Sequence, residues 1–284
     1  MGLRALLAAP GILQAPGVYD GLSALLVERA GFPVMFLSGA GLAYTRFGRP
    51  DLGLVTMSEL VETVAVISER IGLPMIVDGD TGFGNALNLK RTVQRLEQAG
   101  AAAIQFEDQL APKRCGHMQG KQVVSTGEML GRVRAALDAR RNEDTLVIAR
   151  TDALALEGLD AALDRAEAYL EAGADLLFIE GPRTLEEMQR IAGRFAGRVP
   201  LVHNLVEGGG SPLRDAAALE ALGFGVALHP SLLVHLFTRQ APRYLARLAA
   251  EGGTDGFADE LLDLQEINAV LGAEGLLADA ARYA

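Results

Sequence analysis

The 284-residue sequence predicts an α/β fold, a TIM-type (βα)₈ barrel of parallel strands. Short runs rich in branched apolar residues recur along the chain, stretches with helical apolar spacing separate them, and nearly every run ends in polar residues. Repeated strand–helix units pair in parallel through right-handed crossovers, and eight such units close into a barrel. A doubly wound open sheet is the alternative architecture.

The predicted strands are short and apolar. They cover Gly17–Asp20, Val34–Gly39, Met75–Asp80, Ala103–Asp108, Leu146–Thr151, Leu176–Gly181, Leu201–Glu207 and Phe224–Pro230. Gly31, Gly100 and Gly173 each stand where a helix must end in a left-handed residue, and a strand follows each of them. Each interval therefore has room for at least one helix and its loops.

Residues 1–240 are predicted to form the catalytic barrel, and residues 241–284 a helical extension of the same domain. α/β barrels of this length commonly form one domain. The extension contains an amphipathic stretch over residues 257–271 and no predicted strand. We expect it to serve packing or oligomerisation.

The net charge of -10 argues against nucleic acid and anionic membrane as partners, because both require a cationic face. A small-molecule ligand is expected instead. No apolar run reaches the roughly 18 residues of a membrane span, and the apolar N-terminal stretch is too brief for a secretory signal. A single cysteine cannot form an internal disulfide, which agrees with a reducing compartment. We expect a cytoplasmic protein.

Polar residues mark the carboxyl ends of the predicted strands. They are Asp20, Ser38, Asp78, Asp80, Glu107, Asp108, Arg150, Asp152, Glu180, Asn204, Glu207 and His229. In a parallel barrel these ends meet at one rim, where the loops build the active site. Any one of these polar residues could simply be a solvent-exposed residue at the end of a strand. Because nearly all eight predicted strands end in this way, the pattern predicts an active site at the rim.

Asp78 and Asp80 alternate along one predicted strand, so their side chains point to the same face. With Glu107 from the next strand and Asp51 from a long loop, they predict an oxygen-rich pocket whose charges repel unless a cation lies among them. Mg²⁺ or Mn²⁺ fits such a pocket, whereas Zn²⁺ prefers nitrogen and sulfur ligands.

Arg150 ends the fifth predicted strand, and its guanidinium can hold a planar carboxylate in two parallel hydrogen bonds. A small carboxylate substrate is therefore suggested. Pairing of the four acids with Arg150 and Lys113 is the alternative to metal binding. Ser38, Gly39 and Ala40 offer a hydroxyl and backbone N–H groups for a 2-oxo or enolate group.

Cys115 is the only cysteine, and it lies two residues from both Lys113 and His117. Because a thiol acts through its thiolate, neighbouring cations would lower its pKa toward neutrality. We therefore predict Cys115 as a proton donor or nucleophile, with Lys113 and His117 as catalytic neighbours. The alternative is a small buried apolar residue, the usual role of a free cysteine.

Six motifs, in order over about residues 10–245, resemble the isocitrate lyase/phosphoenolpyruvate mutase superfamily. They are Pro50-Asp51-Leu52-Gly53, Asp78-Gly79-Asp80-Thr81-Gly82-Phe83-Gly84, Glu107-Asp108-Gln109, Lys113-Arg114-Cys115-Gly116-His117, Ala149-Arg150-Thr151-Asp152 and Asn204-Leu205-Val206-Glu207. The resemblance implies a barrel whose eighth helix, in many members, is swapped between subunits of a tetramer built from dimers.

The resemblance also implies that Asp78 ligates Mg²⁺ directly, and Asp51, Asp80 and Glu107 largely through water. It implies that Arg150 helps to hold the product. The substrate-binding candidates are Tyr19, Ser38, Gly39, Ala40, Gly116, Glu180, Asn204 and Glu207.

The Cys-Gly-His motif resembles the carbon–carbon lyase branch, which implies a retro-aldol cleavage with Cys115 protonating the departing carbanion. His235 stands where methylisocitrate lyases carry an arginine after Pro230, so a smaller dicarboxylate such as a 2,3-dimethylmalate-like 2-alkylmalate is expected. Carboxyphosphonoenolpyruvate phosphonomutase and oxaloacetate hydrolase share this framework and remain alternatives. A non-catalytic sensor of 2-oxo acids is the contrasting class.

Overall fold

The computed structural model describes residues 1–116 and 120–284. Its strands form one closed barrel in chain order, every neighbouring pair is parallel, and the last strand pairs with the first. The strands are β1 Leu13–Val18, β2 Met35–Leu37, β3 Met75–Asp78, β4 Ala103–Glu107, β5 Leu146–Thr151, β6 Leu176–Ile179, β7 Leu201–Asn204 and β8 Val226–His229. The predicted (βα)₈ barrel is confirmed.

One helix precedes β1, and the others lie between the strands or follow β8. They are α1 Leu3–Ala8, α2 Gly21–Arg29, α3 Gly39–Phe47, α4 Met57–Ser68, α5 Ala86–Ala99, α6 Thr126–Ala139, α7 Leu154–Glu157, α8 Leu159–Glu171, α9 Leu185–Phe195, α10 Ala216–Leu222, α11 Leu232–Glu251, α12 Leu264–Leu271 and α13 Ala273–Ala281, with a 3₁₀ helix over Asp255–Glu260. Gly31, Gly100 and Gly173 have φ of +81°, +110° and +103°, as predicted for residues that end a helix.

The strand boundaries differ from the prediction mainly at the ends. β1 begins at Leu13 and contains Pro16, which lies opposite His229 of β8. Proline cannot donate to a strand ladder, but it is tolerated here near the end of the strand, so β1 begins four residues before the predicted start at Gly17. Several other strands end before the predicted residue, because the polar side chains there already belong to the βα loops.

The barrel interior is a cluster of buried apolar side chains that includes Phe36, Ile76, Ile148 and Phe178. Successive side chains of a strand point to opposite faces, so every second residue faces this interior. Continued toward the carboxyl ends, the same alternation turns inward the side chains of Ser38, Asp78, Gln105, Glu107, Arg150, Glu180 and Asn204. It turns outward Asp108, Thr151, His203 and His229.

The chain divides into two compact units, Met1–Val234 and His235–Ala284. In the second unit, Arg247 lies over the ring of Phe257 at 4.6 Å. Every residue of α12 and α13 retains solvent exposure. None of the helices within the described residues is long and apolar enough to cross a membrane.

The amphipathic stretch over residues 257–271 is divided between the 3₁₀ helix and α12. Phe257 has a non-helical φ of −144°, and a separate helix, α12, begins later. The Asp263 side chain accepts a hydrogen bond from the Glu266 N–H, and the Glu266 carboxylate accepts one from the Asp263 N–H. This reciprocal cap starts a new helix at Asp263.

A buried hydrogen-bond network ties β4 and β5 to α8 on the outer face of the barrel. The Asp108 carboxylate accepts hydrogen bonds from Thr151 Oγ1 at 2.7 Å, Asp152 N at 2.9 Å and Tyr169 OH at 2.9 Å. Arg165 Nη1 lies 3.5 Å from it. Burial raises the pKa of Asp108, and the hydrogen bonds it accepts oppose that rise. Asp108 is therefore a structural residue outside the predicted rim site.

Removal of the Tyr169 hydroxyl tests this network. We expect Tyr169→Phe to lower the free energy of unfolding by about 1–2 kcal/mol, because Asp108 loses one donor while its other partners remain. Denaturant titration measures the change. Tyr283→Phe is the matched control, since Tyr283 is 80% exposed. Equal unfolding midpoints for the Tyr169 variant and the wild-type protein would contradict the proposed contribution.

Candidate active site

The carboxylates of Asp78 and Asp80 come together at the end of β3 through a turn rather than through strand alternation. β3 ends at Asp78, and Asp80 has φ of +50°, a left-handed conformation that costs a non-glycine residue roughly 1–3 kcal/mol. Asp78 Oδ2 and Asp80 Oδ1 lie 3.1 and 3.4 Å from the position that a Cβ on Gly39 would take. Glycine at the start of α3 therefore leaves room for both acids.

The ammonium group of Lys113 lies among the predicted metal ligands. Its Nζ is 2.7 Å from Asp51 Oδ1 and 2.6 Å from Asp80 Oδ1, and all three side chains are buried. Burial lowers the pKa of Lys113, but the surrounding carboxylates outweigh it and hold the pKa well above its usual value. The structure thus shows the lysine pairing that is the sequence-based alternative to metal binding.

Lys113 alone does not balance the acids. Burial raises the pKa of Asp80 to about 7 against the opposing charge of Lys113. Burial also raises the pKa of Glu107 well above its usual value. Among the described residues, Glu107 Oε1 and Gln105 Oε1 are buried without a hydrogen-bond partner. Buried oxygens short of positive charge fit a hard divalent cation.

The predicted ligands Asp51, Asp78, Asp80 and Glu107 do not form a preassembled metal centre. Across residues 1–116 and 120–284, no three His, Cys, Asp or Glu side chains are grouped as metal ligands. Lys113 accounts for this, because its ammonium bridges Asp51 and Asp80. The role of these acids as metal ligands remains a prediction.

Arg150 points into the barrel, where Asp152 engages its guanidinium. Nε donates to Asp152 Oδ2 at 2.9 Å and Nη2 donates to Oδ1 at 3.1 Å. The guanidinium also lies 3.5 Å from Glu107 Oε2 and 3.6 Å from Glu180 Oε2. Burial raises the pKa of Asp152, but Arg150 and Lys121 outweigh it and lower the pKa overall. Asp152 thus accepts the two parallel hydrogen bonds that Arg150 could offer to a substrate carboxylate. Binding of a substrate by Arg150 remains a prediction.

Two polar residues of the site, Gln105 and Lys121, were absent from the sequence-based candidates. Gln105 Nε2 donates to Asp78 Oδ1 at 3.4 Å. Lys121 Nζ donates to Asp152 Oδ1 at 2.7 Å and also to the Gly116 carbonyl. Strand alternation could have indicated Gln105, which lies two residues before Glu107 and so faces the same side. In the same way, Asp152 lies two residues after Arg150. Lys121 has no local signal, because the carboxylate that it pairs with, Asp152, belongs to another segment of the chain.

Cys115 and Gly116 lie against both parts of the site. Cys115 N donates a hydrogen bond to the Asp51 carbonyl at 3.2 Å. The cysteine is only partly buried, whereas the alternative interpretation of the sequence is a fully buried apolar residue. A Cβ on Gly116 would stand 2.4 Å from Arg150 Nη2 and 2.9 Å from Glu180 Cγ. The only thiol thus shares one rim with the acids and Arg150. The role of Cys115 as a proton donor remains a prediction.

Gln109 holds the start of this segment. Its side-chain amide donates to the Arg114 carbonyl at 2.9 Å and accepts from Arg114 N at 3.0 Å. His117, a predicted catalytic residue, lies outside the described residues. Its role remains a prediction.

The remaining substrate-binding candidates occupy two places at the rim. Tyr19 and Ala40 lie beside the start of α3, where Ser38 Oγ accepts a hydrogen bond from Gly41 N at 3.1 Å. Asn204 Nδ2 donates to Glu180 Oε2 at 3.0 Å, so these two candidates are in direct contact.

Glu207, in contrast, is exposed and lines a cavity of about 160 Å³ with His229. Burial lowers the pKa of His229, and the charge of Glu207 opposes that change. Glu207 therefore acts on the imidazole of His229 in this structure, and its support of the substrate site remains a prediction.

A cavity of about 210 Å³ opens beside Glu180 and Asn204. It is lined by Gly116, Lys121, Ala155, Phe178, Glu180, Gly181, Pro182, Arg183, His203, Asn204, Gly208, Gly209, Gly210 and Ser211. It thus adjoins three of the predicted substrate-binding residues.

Comparison with known proteins identifies relatives of the whole chain. The family model described as phosphoenolpyruvate phosphomutase matches residues 3–248. The chain is 43% identical to 2,3-dimethylmalate lyase of Eubacterium barkeri, over 96% of this chain and 93% of the relative. It is 41% identical to 2-methylisocitrate lyase of Aeropyrum pernix, over 95% and 86% respectively.

A solved structure of phosphonopyruvate hydrolase in complex with oxalate and Mg²⁺ is also similar. It superposes with a TM-score of 0.89 at 32% identity, covering 99% of this chain and 97% of the hydrolase chain.

Substitution of Gly116 tests the packing of the cysteine segment. The methyl group in Gly116→Ala collides with Arg150 and Glu180, so we expect Cys115 to become more accessible. Because Cys115 is the only cysteine, its rate of reaction with a thiol reagent reports on this segment alone, and the rate should rise several-fold.

Gly131→Ala is the control, since a Cβ there meets no atom within 4 Å. A reaction rate equal to that of the wild-type protein would show that Gly116 does not pack against Arg150.

Proposed function

This chain belongs to the isocitrate lyase/phosphoenolpyruvate mutase superfamily of enzymes, and we propose that it is a Mg²⁺-dependent carbon–carbon lyase. The proposed substrate is a 2-hydroxy acid of the 2-alkylmalate or methylisocitrate type. Cleavage between C2 and C3 yields a 2-oxo acid such as pyruvate and a second carboxylic acid.

One observation carries the proposal: the thiol-bearing segment joins the acidic cluster directly. Cys115 N donates to the Asp51 carbonyl, and the Asp51 carboxylate pairs with Lys113. A proton donor and a site for an electron-rich oxygen are therefore adjacent, as proton transfer to a carbanion requires. A protein that only senses 2-oxo acids has no need of an acid at Cys115.

Asp51, Asp78, Asp80 and Glu107 would hold the divalent ion. Burial raises the pKa of Asp80 and of Glu107 despite the cations beside them, and this supports the assignment. When bound, Mg²⁺ supplies positive charge that stabilises the oxygen of the 2-oxo product as the bond breaks. Mn²⁺ satisfies the same ligand chemistry.

In the proposed reaction, a base removes the proton of the C2 hydroxyl, and the electron pair forms the carbonyl of the 2-oxo acid. The C2–C3 bond breaks, and its electrons pass to C3 of the departing fragment. Cys115 donates its proton to C3 and becomes a thiolate. Gly116, Glu180 and Asn204 bind the carboxylate of that fragment, with His117 assisting. Lys113 adds positive charge near the 2-oxo acid.

We further propose a homotetramer built from dimers, with a helix of the second unit exchanged between subunits. Apolar side chains that remain exposed in this unit support the proposal. They include Leu261, Leu262, Leu264, Leu276 and Leu277.

A panel of 2-hydroxy diacids tests the reaction. We expect release of pyruvate from a 2-methyl-substituted malate in the presence of Mg²⁺, and loss of this activity when a chelator removes the metal. A coupled dehydrogenase assay measures pyruvate. Cleavage of oxaloacetate alone, to oxalate and acetate, would establish a hydrolase. Reaction of a phosphonate precursor alone would establish a phosphonomutase, and 2-oxo acid binding without turnover a sensor.

Replacement of Cys115 tests its role as the acid. Serine is a far weaker acid than cysteine, so Cys115→Ser should reduce kcat by at least about a hundredfold. Binding of oxalate in the presence of Mg²⁺, measured by calorimetry, should change little, because the acidic cluster is intact. A variant that retains wild-type kcat would exclude Cys115 as the proton donor.

A further inference from the structure

The cavity beside Glu180 and Asn204 extends beyond the residues that the proposed reaction uses. Its lining includes Gly116, Glu180 and Asn204, which are proposed to bind the carboxylate of the departing fragment. It also includes Arg183 and the segment 208–211. A substituent on C3 of the substrate, which leaves with this fragment, has this space available.

The main chain at Arg183 is fixed independently of the catalytic residues. The Glu187 carboxylate accepts hydrogen bonds from Arg183 N at 2.6 Å and from Thr184 N at 3.0 Å. Thr184 Oγ1 accepts one from Glu187 N at 3.1 Å, which completes a capping box at the start of α9. The arginine therefore projects from a defined point.

Gly210 gives the Arg183 side chain its place along the wall. A Cβ on Gly210 would stand 3.7 Å from Arg183 Cγ and 3.8 Å from its Nε. The stem of the arginine therefore runs along this glycine. Behind it the wall is tied together, since Ser211 Oγ donates to the Leu213 carbonyl at 2.7 Å and is 2.8 Å from His203 Nε2.

The charges that line the cavity leave Arg183 available to an anion. The Lys121 ammonium pairs with Asp152 at 2.7 Å, and Glu180 is held by Asn204 and lies near Arg150. Within residues 1–116 and 120–284, no carboxylate lies within ion-pair distance of the Arg183 guanidinium. An anionic group that enters the cavity therefore meets a cation without displacing an existing ion pair.

We propose that Arg183 is a specificity-determining residue that binds a carboxylate carried on the C3 substituent of the substrate. This inference rests on the proposed lyase function. Arginine suits the role because its planar guanidinium offers paired donors to a carboxylate. The sequence alone suggests that a distal carboxylate would lack a cation, because His235 stands where methylisocitrate lyases carry an arginine. The loop between β6 and α9 supplies that positive charge instead.

Two substrates that differ by one carboxylate test the assignment. 2-Methylisocitrate carries a carboxymethyl group on C3 where 2,3-dimethylmalate carries a methyl group, and both yield pyruvate. The wild-type enzyme should show the higher kcat/KM with the tricarboxylate. Arg183→Gln should reduce that value roughly 10- to 100-fold, as expected for loss of a hydrogen bond to a charged group, mainly through KM.

The same substitution should leave kcat/KM for 2,3-dimethylmalate within about twofold, because the catalytic residues are unchanged. Arg183→Lys should restore part of the loss. Arg190→Gln is the matched control, since Arg190 lies on α9, the helix that follows Arg183, and pairs with Asp160 on the surface. An equal loss with both substrates, or no loss with either, would overturn the inference.

A binding experiment separates this inference from the proposed function. Succinate and propionate are the acids that the two substrates release, and calorimetry with Mg²⁺ and each acid needs no turnover. Tighter binding of succinate that disappears in Arg183→Gln supports the arginine even if neither substrate is cleaved. Equal binding of both acids to the wild-type and variant proteins would overturn it, whatever the activity.

Discussion

The arrangement of the site depends on one constraint: the buried carboxylates of Asp51, Asp80 and Glu107 lie together with the half-buried Asp78 at the rim of a closed barrel. Like charges in a low-dielectric interior repel strongly unless cations lie between them. Lys113 and Arg150 supply part of the needed charge, yet burial still raises the pKa of Asp80 to about 7. The site therefore favours binding of an additional cation. Carboxylate oxygens are the ligands that hard divalent cations prefer.

The same charges position the thiol. Lys113 pairs with Asp51 and Asp80 two residues before Cys115, while Lys121 pairs with buried Asp152 and donates to the Gly116 carbonyl. Both lysines belong to the region that carries the cysteine, and both pair with buried carboxylates. The ion pairs of these two lysines with the buried carboxylates thus hold Cys115 beside the acids. Binding of a divalent ion would compete with Lys113 for the same oxygens, so metal binding and the position of this segment are physically coupled.

The fold and the composition of the rim follow from local patterns in the sequence. Strand length, alternation and helix-ending glycines predict the barrel, and the polar strand ends predict where Asp78, Glu107 and Arg150 meet. Two kinds of detail depend on tertiary structure instead. Asp80 reaches the cluster through a left-handed turn, which strand alternation does not describe.

The second kind of detail concerns residues whose partners are distant in the sequence. Lys121 and Arg183 lie in loops without a local pattern, and only the folded chain shows what they contact. Their placement also separates two properties of the site. The acids and Cys115 lie within one charged network, so a substitution there changes several pKa values together. Arg183 instead depends on the cap of α9, so evolution or design can alter the preferred departing acid through this loop without disturbing the proton donor.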